Sequence, residues 1–163
     1  MLDRIRKLIE SNPDRETFFK LVAKRFPLGS RDFLLINDAY DTAKDAFREK
    51  NREGSGERYF EHLRAVALIV MEHMRVTDAE IIAAALLHDI VEDIAGWTQE
   101  KVALKFSLRV SELVWWVTKP PITDFDGDKE ARNRTYHQNL TRAPRESLII
   151  KLADRLHNLI TMW

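Results

Sequence analysis

One imidazole and three carboxylates fall within six residues of this chain, in His88-Asp89-Ile90-Val91-Glu92-Asp93. The stretch directly follows Ala84-Ala85-Leu86-Leu87, which belongs in a core. Buried charge is costly unless it is paired, hydrogen-bonded or bound to a metal. A second cluster, Lys151-Leu152-Ala153-Asp154-Arg155-Leu156-His157-Asn158, also follows apolar residues, and His62 lies upstream of both. His62, His88, Asp89 and Asp154 together offer two imidazoles and two carboxylates, a metal site assembled from three helices. Such a mixed nitrogen and oxygen set suits Mn²⁺, Fe²⁺, Co²⁺ or Zn²⁺ better than the oxygen-only preference of Mg²⁺ or Ca²⁺.

Each piece alone has a plainer reading. A single His in an apolar helix is usually a hydrogen-bonded core or boundary residue. Glu92 and Asp93 could be a solvated helix end, although acidic groups there oppose the helix dipole. Asp154-Arg155 could be a surface ion pair. The ordered set of His, His-Asp and Asp is what carries the metal reading. His73 and His137 have no acidic partner at ligand spacing and are expected to be structural or exposed. Asp124, Asp126 and Asp128 resemble the start of a calcium loop but lack its closing Glu. Trp115-Trp116 is expected in core packing or an interface.

The elements that must position these groups read as helices throughout. Residues 2–11 carry a one-sided apolar stripe, and Asn12-Pro13 is expected to cap and start a second helix. Phe26-Pro27-Leu28-Gly29 breaks it, and Ser30 can cap a third. Residues 50–57, with two glycines and many charges, read as a loop. Residues 59–73 form an apolar helix, and Thr77-Asp78-Ala79-Glu80 is a capping box for one helix over 78–93. Positions four apart on it share a face, pairing His88 with Glu92 and Asp89 with Asp93. Short helices over 98–106 and 110–117 precede a breaker stretch, 119–128, and helices over 129–140 and 145–162 close the chain. The expectation is an all-α domain of roughly eight helices.

A length of 163 residues allows one domain with a real core, 1–163, in which 1–29 are N-terminal helices. Its 26 basic and 26 acidic residues cancel, so no charge excess advertises nucleic acid or a membrane surface as partner. The absence of cysteine excludes disulfides. No apolar run approaches the roughly 20 residues of a membrane helix, and the N-terminus lacks a signal-peptide core. A soluble, cytoplasmic chain is the default expectation. The sequence ends two residues after Thr161, within the last predicted helix, which leaves room for a longer natural chain.

Larger blocks carry a resemblance. They are Ala39-Tyr40 through Ala43, Gly56-Glu57 with Tyr59 and His62, Ala85-Leu86-Leu87-His88-Asp89 with Val91-Glu92-Asp93, Leu113-Val114 with Val117-Thr118-Lys119, and Lys151 through Asn158. Over about 30–161 the chain resembles the HD superfamily of metal-dependent phosphohydrolases. Within it, the chain is most similar to the hydrolase domain of the RelA/SpoT family, which removes pyrophosphate from the alarmone (p)ppGpp. The resemblance implies an HD-type helical bundle with His62, His88, Asp89 and Asp154 as metal ligands and Mn²⁺ as the ion. It makes Glu92 and Asp93 the acid/base pair, and it puts Ser55, Asn158 and Thr161 where the family contacts its nucleotide. A guanosine polyphosphate becomes the expected substrate. No synthetase portion is expected within these residues.

The chain departs from the family pattern just before the first His. Where the family has Arg-Lys-Ser-Gly-Glu-Pro-Tyr, this sequence reads Glu53-Gly54-Ser55-Gly56-Glu57-Arg58-Tyr59, with Arg52 one position early. Leu63 stands where proline is usual and Ile160 where Arg is common. At an effective dielectric of about 20, like charges roughly 8 Å apart repel by about 2 kcal/mol, so Glu53 disfavours a polyphosphate unless Arg52 takes over. An HD enzyme acting on another nucleotide, such as a nucleoside monophosphate, or a non-catalytic nucleotide-binding regulatory module are the alternatives.

Overall fold

Ten α-helices and no strand occur among the described residues, 2–54 and 56–161, of the computed structural model. They are α1 (Leu2–Glu10), α2 (Arg15–Ala23), α3 (Arg31–Ala46), α4 (Tyr59–Leu68), α5 (Ala79–Leu87), α6 (Ile90–Asp93), α7 (Gln99–Lys105), α8 (Leu108–Val117), α9 (Lys129–Leu140) and α10 (Arg145–Thr161). Ser55 and Met162, expected at the nucleotide and in the last helix, lie outside the described residues. Among the described residues, no helix is long and apolar enough to cross a membrane.

The most apolar helix is the central one. Every residue of α5 except Glu80 is buried, and α3, α4, α8 and α10 pack around it. A helix apolar on all sides has to be surrounded. Its Ala79, Ala83, Ala84 and Ala85 let the neighbouring backbones come close. Aromatic rings tie the N-terminal half to this centre: Phe18 of α2 meets Tyr40 of α3 at 5.0 Å, and Tyr40 meets Phe60 of α4 at 4.9 Å. Ile5 of α1 shares the same core.

Several ends differ from the sequence reading, each for a local reason. Asp14, not Asn12, caps α2 by accepting from the Thr17 amide, while Asn12 takes a left-handed turn with φ 36°. Asp78, not Thr77, caps α5 by accepting from the Glu80 amide at 2.9 Å. The Glu80 carboxylate turns instead to Ser107 and Arg109 at the start of α8. The helix over 59–73 changes at Ile69 to a π-helical turn, Ile69–His73. The helix expected over 78–93 also breaks, at His88-Asp89: Asp89 has φ −102° and ψ 0°, and α6 restarts as one turn. Trp115 is 49% exposed, so it does not belong to the core.

Candidate metal centre and its cavity

Three helices bring the proposed ligands together. His62 comes from the second turn of α4, His88 and Asp89 from the break between α5 and α6, and Asp154 from the middle of α10. Ligand atoms of His62, His88 and Asp154, all buried, lie within 4.8 Å of one another. His62 Nε2 is 3.4 Å from Asp154 Oδ1. Asp89 stands outside that tight trio but faces both rings, with Oδ2 3.1 Å from His88 Nε2 and 3.8 Å from His62 Nε2. Donors about 2–2.3 Å from a shared ion sit at about these mutual separations.

The hydrogen bond of the His88 ring leaves its inward nitrogen for a cation. His88 Nδ1 is 2.8 Å from the Ala85 carbonyl, which can only accept, so the proton of the neutral ring is on Nδ1. Its Nε2 is then bare, buried and without a hydrogen-bond partner. An orphaned buried acceptor facing two carboxylates fits a divalent cation. With no cation, burial opposes charge on His88, but Asp89 and Asp154 outweigh it and push its pKa up to about 9. Burial raises the Asp89 and Asp154 carboxyls, yet the neighbouring imidazoles, with Lys151 beside Asp154, hold both well below the usual carboxylate range. Burial pushes His62 down.

Supporting contacts surround this set, and several were not foreseen from the sequence. The Tyr59 hydroxyl donates to Asp89 Oδ2 at 2.7 Å. Lys151 Nζ reaches Asp154 Oδ2 at 2.8 Å, and Asn158 Nδ2 donates to Asp154 Oδ1 at 2.7 Å. His157 is buried with its Nδ1 2.9 Å from His62 Nδ1. The signal for His157 was present: three residues after Asp154 on a helix, it faces the same way as Asp154. The signals for Lys50, Lys119 and Arg132 were absent, because those contacts cross between elements far apart in sequence.

A cavity of about 430 Å³ opens over the centre, lined among others by Lys50, Arg52, Glu53, Glu92, Asp93 and Asn158. Glu92 Oε2 accepts from the Lys119 amide at 3.1 Å, and its Oε1 accepts from Arg132 at 3.3 Å. Asp93 pairs with Lys50 at 3.0 Å. Arg52 donates to Asn158 Oδ1 at 2.8 Å and to Thr161 Oγ at 3.1 Å, so three expected nucleotide contacts meet in one place. A small hairpin carries Arg52 there: Arg52 and Glu57 are bonded through their backbones at 2.7 Å, and Gly54 turns the chain with φ 90°. Glu53 is exposed at the rim. His73 is half-buried and His137 exposed, away from this set.

Residues 39–162 match the model of the HD domain. The chain is 38% identical over 129 residues to the bifunctional (p)ppGpp synthase/hydrolase SpoT of Escherichia coli (strain K12), covering 78% of this chain and 18% of that protein. It is 33% identical over 126 residues to the guanosine-3′,5′-bis(diphosphate) 3′-pyrophosphohydrolase MESH1 of Danio rerio, covering 77% of this chain and 67% of that one. A solved structure of a metazoan ortholog of SpoT, described as hydrolyzing ppGpp with a role in starvation responses, superposes with a TM-score of 0.69. It is 30% identical in sequence, and the match covers 77% of this chain and 68% of that one. The chain thus spans about a fifth of the bacterial relative's length.

Proposed function

The chain belongs to the HD domain family, and from that premise we propose that it is a cytoplasmic, Mn²⁺-dependent phosphohydrolase that releases pyrophosphate from the 3′ side of (p)ppGpp. One observation carries the reading: the buried trio His62, His88 and Asp154 lies beneath a cavity whose wall holds Glu92, Asp93 and an Arg-Asn pair. We read residues 1–163 as one hydrolase domain, since Ile5, Phe18 and Val22 share the core with the later helices.

A divalent cation held by His62, His88, Asp89 and Asp154 would polarise a phosphoryl oxygen and lower the pKa of a water. The chain's own groups do the rest. Glu92 takes the proton of the attacking water, and the Lys119 amide and Arg132 keep its carboxylate aimed. The water oxygen bonds to the phosphorus nearest the ribose, and the bond from that phosphorus to the 3′ oxygen breaks. Asp93, beside Lys50, relays to the leaving 3′ oxygen the proton that Glu92 took from the water. Arg52, Asn158 and Thr161 hold the nucleotide, and Lys119 and Lys151 offset phosphate charge.

The exposed Glu53 supports a second reading, in which the pocket takes a nucleotide with fewer phosphates. Pyrophosphate and nucleotide products are to be measured with (p)ppGpp and Mn²⁺, beside nucleoside mono-, di- and triphosphates and a chelator control. The expected result is metal-dependent pyrophosphate release from (p)ppGpp. Efficient turnover of another nucleotide with none of (p)ppGpp would overturn the alarmone reading, and no turnover of any would favour a binding module.

A further inference from the structure

His62 and His157 face one another through like atoms, Nδ1 to Nδ1 at 2.9 Å, with their rings edge to face at 4.8 Å and both side chains buried. Two ring nitrogens at that distance need one proton between them: two lone pairs repel, and two protons clash. His62 Nε2 points at Asp154 and Asp89. We propose that His157 is the positioning residue of the metal centre: it accepts the His62 Nδ1–H, holds the His62 lone pair on the inward Nε2, and carries its own proton on Nε2. This rests on the reading of His62 as a ligand.

The assignment explains why a helix already supplying Asp154 also buries a His one turn on. A ligating imidazole needs an acceptor for its outer N–H to fix tautomer and ring angle, and a carboxylate is a common choice. Here both ligand rings use neutral acceptors, His157 for His62 and the Ala85 carbonyl for His88. The centre is thereby oriented without further negative charge beside a polyanionic substrate. His157 also lines a second cavity of about 440 Å³ on the side of α1, together with His62, Glu61 and Arg64, and His62 lines both cavities.

Two measurements test this. Nitrogen-15 imidazole spectra of the wild-type chain loaded with Zn²⁺ should show His157 protonated on Nε2 and bare on Nδ1; the reverse tautomer overturns the proposal. Mn²⁺ affinity is then compared between His157→Asn, whose side-chain oxygen can stand where Nδ1 stood, and His157→Phe, which keeps bulk without an acceptor. The Phe variant should bind Mn²⁺ roughly 10–100-fold more weakly and the Asn variant within about threefold of wild type. Equal affinities for the two variants overturn the role of His157 alone. A wild-type chain that binds neither ion overturns the ligand reading itself, and this one with it.

Discussion

At the scale of single residues, the proposed reading puts ligation and proton transfer on different side chains, which should separate by mutation. Glu92 and Asp93 are paired with Arg132, Lys119 and Lys50, not with the buried trio. Replacing them by Gln and Asn should lower turnover by about 10² or more while Mn²⁺ affinity stays close to wild type. Kinetics and calorimetry on the same preparations check this, and parallel loss of metal would mean that the carboxylates are ligands. Arg52 provides the second residue-scale test. It spans to Asn158 and Thr161, so Arg52→Ala should raise KM for (p)ppGpp by about tenfold, the order expected for charge-assisted hydrogen bonds, with a smaller change in kcat. Glu53→Arg should lower KM, since it removes a like charge from the rim.

At the scale of elements, the break at His88-Asp89 is what lets one chain segment serve two purposes. As one uninterrupted helix, the segment would fix its groups at a regular 100° per residue around the axis. With the bend, α5 stays buried while α6 turns Glu92 and Asp93 onto the cavity wall. Packing of α5 against α8 is tied by Glu80, which binds Ser107 at 2.6 Å and Arg109 at 2.9 Å. The Ser107 hydroxyl, with Arg109 beside it, holds the Glu80 carboxyl below its usual range. A depressed carboxyl stabilises the fold above the unfolded-chain value of about 4.3, and that stability is lost as pH falls through the folded value. Glu80→Gln should therefore cost about 1 kcal/mol at pH 7, or about 2–4 °C in Tm, and close to nothing once the pH has fallen below the folded value. Thermal melts of the two proteins across this range give the answer, and a pH-independent difference would mean that packing, not charge, is at work.

At the scale of the whole molecule, the proposed metal centre joins three helices, so a bound ion should act as a staple. An ion present at about 100 times its Kd adds about 2.7 kcal/mol to folding stability. For a chain of this length that is about 5–10 °C in Tm. Mn²⁺ should raise Tm by this order and a chelator should reverse it, while His62→Ala should melt at one temperature with or without the ion. A metal-independent Tm in the wild type would argue against a site coupled to the fold.

Patterns that act locally were legible in the sequence by itself. The helical periods, the cap at Ser30 and the glycines of the 50–57 turn depend on neighbours within a few residues, and the structure follows them. The face shared by Asp154 and Asn158 was likewise readable, because helix geometry relates residues three or four apart. Only the tertiary structure decided that His62 lies 3.4 Å from Asp154, that Arg132 reaches Glu92, and that Arg52 crosses to Asn158. Those meetings depend on how α4, α9 and α10 pack against the rest, which no local period encodes. The same holds for the bend at Asp89. Nothing in Leu87-His88-Asp89-Ile90 forbids a continuous helix, so the break belongs to the packed molecule, where buried polar side chains find their partners across helices rather than along one.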